Sequence, residues 1–156
     1  MRLAAGMAAM MLWAGPAAAR PTDLELFCHD LGRVVDAAGE EGGFDHLQRS
    51  RAAPPTLGFE RGCQGHGGAE GGSWFCHQSL APADLSRDSL EHKTAACLTE
   101  AVREPGRWPS LSVSFALPNA RITIEESGGP GAHVGRIVTF IVEAVPRHRL
   151  GGDGGE

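Results

Sequence analysis

Leu24, Phe27, Cys28, Leu31 and Val35 recur at the spacing of one helical face, which predicts a helix starting at Thr22-Asp23-Leu24-Glu25. That tetrapeptide is a capping box: the threonine hydroxyl accepts from the third helical amide and the glutamate reaches back to the threonine amide. Gly39, followed by Gly42 and Gly43, supplies the stop, and Cys28 points into the core. Residues 44–55 are mixed in character and end in Pro54-Pro55, so they read as a loop with room for a short helical turn around 45–49. Leu57, Phe59, Arg61 and Cys63 then alternate with Gly58, Glu60 and Gly62, the pattern of a strand weakened by its glycines.

The stretch 62–72 holds six glycines in eleven residues, a loop too flexible to pack on its own, and it leads into a second short strand, Ser73-Trp74-Phe75-Cys76-His77. The two strands form an irregular hairpin. Leu90, Thr94, Cys97, Leu98, Ala101 and Val102 return to helical spacing, with Asp84 or Ser86 as cap and Pro105-Gly106 as stop. Leu111, Val113, Phe115 and Leu117 alternate strictly with small or polar residues, and Pro118-Asn119 turns the chain into Ile122 and Ile124, a hairpin partner. After the turn Gly128-Gly129-Pro130-Gly131, Ile137 to Val145 is apolar on both faces apart from Thr139 and Glu143, the mark of a strand in the middle of a sheet.

The order α-β-β-α-β-β-β contains no repeating β-helix-β unit. It predicts an α+β domain, a mostly antiparallel sheet of about five strands with two helices packed on one face.

Composition adds the compartment. Arg2, an apolar run from Leu3 to Gly15 and Ala17-Ala18-Ala19 before Arg20 have the form of a secretory signal peptide spanning residues 1–19. The run is shorter than the roughly 20 residues of a membrane-spanning helix. No cysteine sits at the cleavage site to accept a lipid, and no later stretch is apolar enough to span a membrane. Residues 20–150 then make one domain, and 151–156 a glycine-rich disordered tail. The Arg, Ala and Gly bias reads as the codon signature of a GC-rich bacterial genome.

Without the signal the charge is 13 Lys plus Arg against 19 Asp plus Glu, a net −6 with histidine neutral. Such a balance argues against nonspecific nucleic-acid binding, which draws on dense basic residues facing the phosphates. Four cysteines in an exported chain read as two disulfides. Because each predicted helix carries one inward cysteine, the favoured pairing is Cys28–Cys97 with Cys63–Cys76 closing the glycine loop. The nested pairing Cys28–Cys63 with Cys76–Cys97 is the alternative.

Candidate chemistry is sparse. Cys63, His66, Cys76 and His77 include the ligand types of a zinc site, but adjacent Cys76 and His77 point to opposite faces of a strand and oxidation removes the thiolates, so no metal is expected. Gly128 to Arg136 resembles a phosphate loop only loosely: it lacks the Gly-Lys-Ser/Thr ending and leads into a strand, not a helix. No Gly-x-Ser-x-Gly elbow, His-Glu-x-x-His helix or cofactor motif occurs, and no cofactor is expected. His29-Asp30 and Glu91-His92 read as solvated or locally paired side chains on the helices.

What remains is a tethered hairpin carrying His66, Trp74, Phe75 and His77. A crosslinked loop loses less entropy on binding than a free one, and aromatic anchors supply contact area. The plainer reading is that Trp74 and Phe75 cover the two faces of the hairpin. The sequence therefore points to an exported, non-enzymatic binding or inhibitor-type module for an envelope or secreted protein. A small hydrolase or metal-dependent enzyme using His66, His77 or His133 is the alternative, and a purely structural envelope component is a third class.

Overall fold

A computed structural model describes residues 21–106, 111–128 and 135–146. The predicted signal peptide, His133 and the tail lie outside the described residues. The chain runs α1 (Asp23–Ala38), α2 (Gly43–Arg49), β1 (Cys63–Gly68), β2 (Gly71–Ser79), a 3-10 turn (Ala83–Leu85), α3 (Arg87–Cys97), β3 (Val102–Pro105), β4 (Ser112–Ala116), β5 (Ala120–Ser127) and β6 (Ile137–Ala144). The strands form one antiparallel sheet in the order β1-β2-β6-β5-β4-β3. The α+β class, the antiparallel sheet and the interior position of β6 are as the sequence predicts.

Alternation along each strand decides which face is covered. Trp74, Cys76 and Gln78 on β2, Val138, Phe140 and Val142 on β6, Ile122 and Ile124 on β5, and Val113 and Phe115 on β4 all point to one side and are buried. The helices pack there. Phe27, Leu31 and Val34 of α1 and Leu90 of α3 complete that core, with Phe27 edge-on to Phe140 at 6.2 Å between ring centroids. Each such side chain contributes roughly 1.5–3 kcal/mol by leaving water. The capping box of α1 forms as read: the Glu25 amide donates to the Thr22 hydroxyl at 3.2 Å, and the Thr22 amide donates to the Glu25 carboxylate at 2.6 Å. Leu24, counted to the inner face, is instead exposed.

Both disulfides take the favoured pairing. Cys28–Cys97 joins α1 to α3, and Cys63–Cys76 joins β1 to β2 where the two residues face each other across the strand pair, Cα 4.3 Å apart. That spacing is the close one of an antiparallel pair without hydrogen bonds between its members.

Three stretches differ from the sequence reading, each for a physical reason. Residues 57–62 are two successive turns, not a strand: the Phe59 amide donates to the Thr56 carbonyl and the Gly62 amide to the Phe59 carbonyl, with positive φ at Leu57 (52°), Gly58 (82°) and Gly62 (69°). Leu57 and Phe59 are buried as plugs, and the Gln78 side chain accepts from the Glu60 amide at 3.0 Å to hold the segment down. The glycine-rich stretch, expected to be a floppy loop, is β1 itself and its tight turn into β2. Its glycines answer to packing. A Cβ on Gly65 would lie 2.2 Å from the Trp74 ring, and one on Gly68 would lie 2.1 Å from the Glu40 carbonyl oxygen. Finally, α3 ends at Cys97, and Val102, assigned by spacing to the helix, opens a sixth strand on the edge of the sheet. A third helix, α2, occupies the expected 45–49 turn and packs beside β1.

Candidate functional site

Parity on β2 separates the four predicted contact residues. Trp74 lies on the covered face with no exposed surface, tilted against Phe44 of α2 at 6.4 Å and seated over Gly65. Its indole Nε1 has no hydrogen-bond partner among the described residues, so the ring contributes volume and apolar area. Phe75 and His77, each one residue from an inward neighbour, point the other way. Among the described residues no helix covers the face they reach.

On that open face Phe75 is 41% exposed and stacks on His77, with ring centroids 6.1 Å apart and planes 8° from parallel. His77 is steered by two long polar contacts, Nδ1 to the Thr139 hydroxyl at 3.4 Å and Nε2 to the Ser79 hydroxyl at 3.5 Å. The register sets the neighbours. Phe75 lies between Gln64 on β1 and Ile141 on β6, and His66 lies in the row Ser73, Glu143, Arg121. Farther across the sheet, Arg121 pairs with Glu104 at 2.9 Å. The result is an aromatic and aliphatic strip, Phe75 with Ile141, bordered by histidines and carboxylates.

Of the two sheet edges, β1 is covered and β3 is short and interrupted by proline, so this face is the broad accessible part of the sheet among the described residues. On β1 the amides of Gly65 and Gly67 point outward and donate to the Gln48 side-chain oxygen at 3.1 Å and the Asp45 carboxylate at 3.2 Å, while the Ala69 amide donates to the Glu40 carbonyl at 2.7 Å. Helix α2 thus covers the edge a partner strand would otherwise use. At the far edge β3 is four residues long; the bond from the Gly106 amide to the Ser112 carbonyl fixes its alternation so that Arg103 and Pro105 face outward, and proline has no amide to offer.

No known protein family, curated protein or solved structure matches the chain. Function therefore rests on the geometry alone.

His66 and His77 do not converge. Cys63 lies opposite Cys76 and His66 opposite Ser73, so His66 and His77 are four register positions apart, roughly 13 Å along the strands. Among the described residues no group of three or more His, Cys, Asp or Glu side chains is placed to hold a metal ion. His29 approaches Asp30, which itself accepts the amides of Thr56 and Leu57, and Glu91 binds Arg103; these groups tie elements together. Sequence reasoning placed Trp74 with Phe75 and His77, although the two-residue period of a strand already groups Trp74 with Cys76 and Gln78. The contribution of Ile141 and Thr139 to the open face was not read from the sequence, because it depends on which strand neighbours β2.

Proposed function

We propose that this protein is an exported, non-enzymatic binding module, and that it recognises a protein partner of the envelope or surroundings through the open face of its sheet beside the Cys63–Cys76 hairpin. One observation carries the reading: Phe75 stays exposed, stacked on His77, on a sheet face that no helix among the described residues covers. Aromatic anchors on a rigid surface are the residues that dominate interface energies, because they bring contact area with few rotamers to freeze. The hairpin is held by a disulfide and by α2, so ordering it on binding costs little.

His66, Phe75 and His77 make the contact in this reading, with Ile141 beside them, and Trp74 supports β2 from beneath. Two disulfides fit an oxidising compartment. Among the described residues no helix is long and apolar enough to cross a membrane. The test is affinity capture from extracytoplasmic material with the disulfide-bonded protein and, in parallel, its Phe75→Ala and His77→Ala variants. A partner that is held by the parent protein and lost from both variants supports the reading. Capture that is indifferent to both variants contradicts it.

A further inference from the structure

On the helix side of the sheet, remote from Phe75 and His77, a groove of about 460 Å³ runs between the first turns of α1, the turn at 56–58, the 3-10 turn and α3. Its volume falls within the roughly 300–1,000 Å³ of small-molecule sites. The floor is apolar, made by Phe27, Leu57 and Leu85, each buried. Lys93, the only lysine in the sequence, stands at the wall with Nζ 5.8 Å from the centre of the Phe27 ring and 3.4 Å from the Asp84 carbonyl oxygen. Among the described residues it has no ion-pair partner, and neither have the carboxylates of Asp23 and Asp84 at the rim. Asp30, which also lines the groove, is already committed to the Thr56 and Leu57 amides at 3.0 and 3.4 Å.

Charge selects the occupant. An apolar amine would meet the Asp23 and Asp84 carboxylates but also the Lys93 ammonium, and an apolar acid would meet Lys93 but face Asp23 and Asp84. A molecule that carries both charges around an apolar body complements all three groups and the floor together. The geometry points to a binding site for a small apolar zwitterion, of the class of a dipeptide with free termini. Its carboxylate pairs with Lys93, its ammonium with Asp23 and Asp84, and its side chains rest on Phe27, Leu57 and Leu85. The Cys28–Cys97 bridge ties α1 to α3 next to the groove, so the walls are held before the ligand arrives.

The probes are leucyl-phenylalanine, its N-acetylated form and its C-amidated form, titrated into the folded, disulfide-bonded protein and followed by amide NMR and calorimetry. The free dipeptide is expected to bind saturably, shifting the amides of Leu26, Leu57, Gly58 and Lys93, and each blocked form to bind at least about fivefold more weakly. In Lys93→Gln the amidation penalty disappears while the acetylation penalty stays. In the double variant Asp23→Asn/Asp84→Asn the pattern reverses. The absence of saturable shifts around the groove, or blocked forms that bind the parent protein as well as the free dipeptide, overturns the proposal, and the parent protein alone decides this without any variant. Failure here leaves the open-face reading intact, since Phe75 and His77 play no part in the measurement.

Discussion

Replacing Asp45 and Gln48 together by alanine takes away the acceptors of two outward amides on β1, those of Gly67 and Gly65. Both bonds are partly buried, at 3.2 and 3.1 Å, and α2 remains in place to hinder water from replacing them fully. A fully buried amide left without a partner costs about 1–3 kcal/mol. Partial access roughly halves that, to about 0.5–1.5 kcal/mol each and about 1–3 kcal/mol for the pair. The Arg49–Asp45 contact at 4.0 Å adds little, because its partners are solvated. For a domain of this size, at about 3–5 °C per kcal/mol, the loss lowers the melting temperature by roughly 3–15 °C. With both tethers gone α2 holds the edge less firmly, so whenever it lifts away β1 can pair with β1 of another copy and the variant should associate as its concentration rises. Thermal unfolding by circular dichroism measures the first effect and sedimentation velocity the second. Asp45→Asn, which keeps an acceptor oxygen, should recover most of the stability lost on removing Asp45. If the double variant melts within a degree of the parent and stays monomeric, α2 does not guard this edge.

Two glycine substitutions should act in opposite directions. Gly32→Ala in α1 meets no atom within 4 Å and should stabilise by about 0.5–1 kcal/mol, whereas Gly65→Ala drives a Cβ to 2.2 Å from Trp74 and should destabilise by about 1–3 kcal/mol; equal effects in denaturant titrations contradict the packing described. Replacing the Cys28–Cys97 pair by alanine should cost more than replacing Cys63–Cys76, about 4 against about 3 kcal/mol in the chain-entropy picture, because it links positions 69 apart and not 13; the reverse order in calorimetry refutes it. Hydrogen bonds from the Thr22 amide and hydroxyl hold the Glu25 carboxyl below the usual glutamate range. A lowered folded value means that this cap stabilises above the unfolded value and is lost as pH falls through the folded one. NMR titration should therefore show Glu25 protonating later than free glutamate during acidification, and a normal midpoint contradicts the cap.

The parts of the fold legible in the sequence are those dictated by local rules. Thr22 and Glu25 announce a helix start by chemistry that needs no tertiary partner, and the alternation of Val113 and Phe115 with Ile122 and Ile124 fixes a hairpin because one face must be buried. The cysteine pairing followed from reading one cysteine onto the inner face of each helix; both in fact lie half-buried where α1 meets α3, outside the buried core. What stayed hidden depends on distant partners. Leu57 and Phe59 alternate as in a strand, yet Asp30 captures the Thr56 and Leu57 amides and bends the segment into turns. The glycines of β1 carry no side chains with which to signal a strand; they are needed because Trp74 crowds Gly65, the facing Gly71 and Gly72 crowd Gly67, and the chain at Glu40 to Gly43 crowds Gly68. Val102 keeps helical spacing with Leu98, but α3 ends at Cys97 and Val102 pairs with Ala116 instead. At the candidate site, the sequence grouped Phe75 and His77 with Trp74 and His66 on a tethered hairpin without separating the exposed side chains from the buried one. The inward position of Trp74 was legible only through its parity with Cys76.

The most direct measurement compares Phe75→Ala with Trp74→Ala in two readouts, melting temperature and retention of the captured partner. Phe75→Ala should leave the melting temperature within about 2 °C of the parent, since an exposed position away from special features changes stability by about 0.5 kcal/mol at most, while weakening retention by roughly thirtyfold or more, the loss of an anchor worth about 2 kcal/mol. Trp74→Ala should cost about 3–5 kcal/mol of stability, as large-to-small changes in a packed core do. A Phe75→Ala variant that retains the partner at parental strength, or that unfolds as readily as Trp74→Ala, would contradict the assignment of the open sheet face as the binding surface.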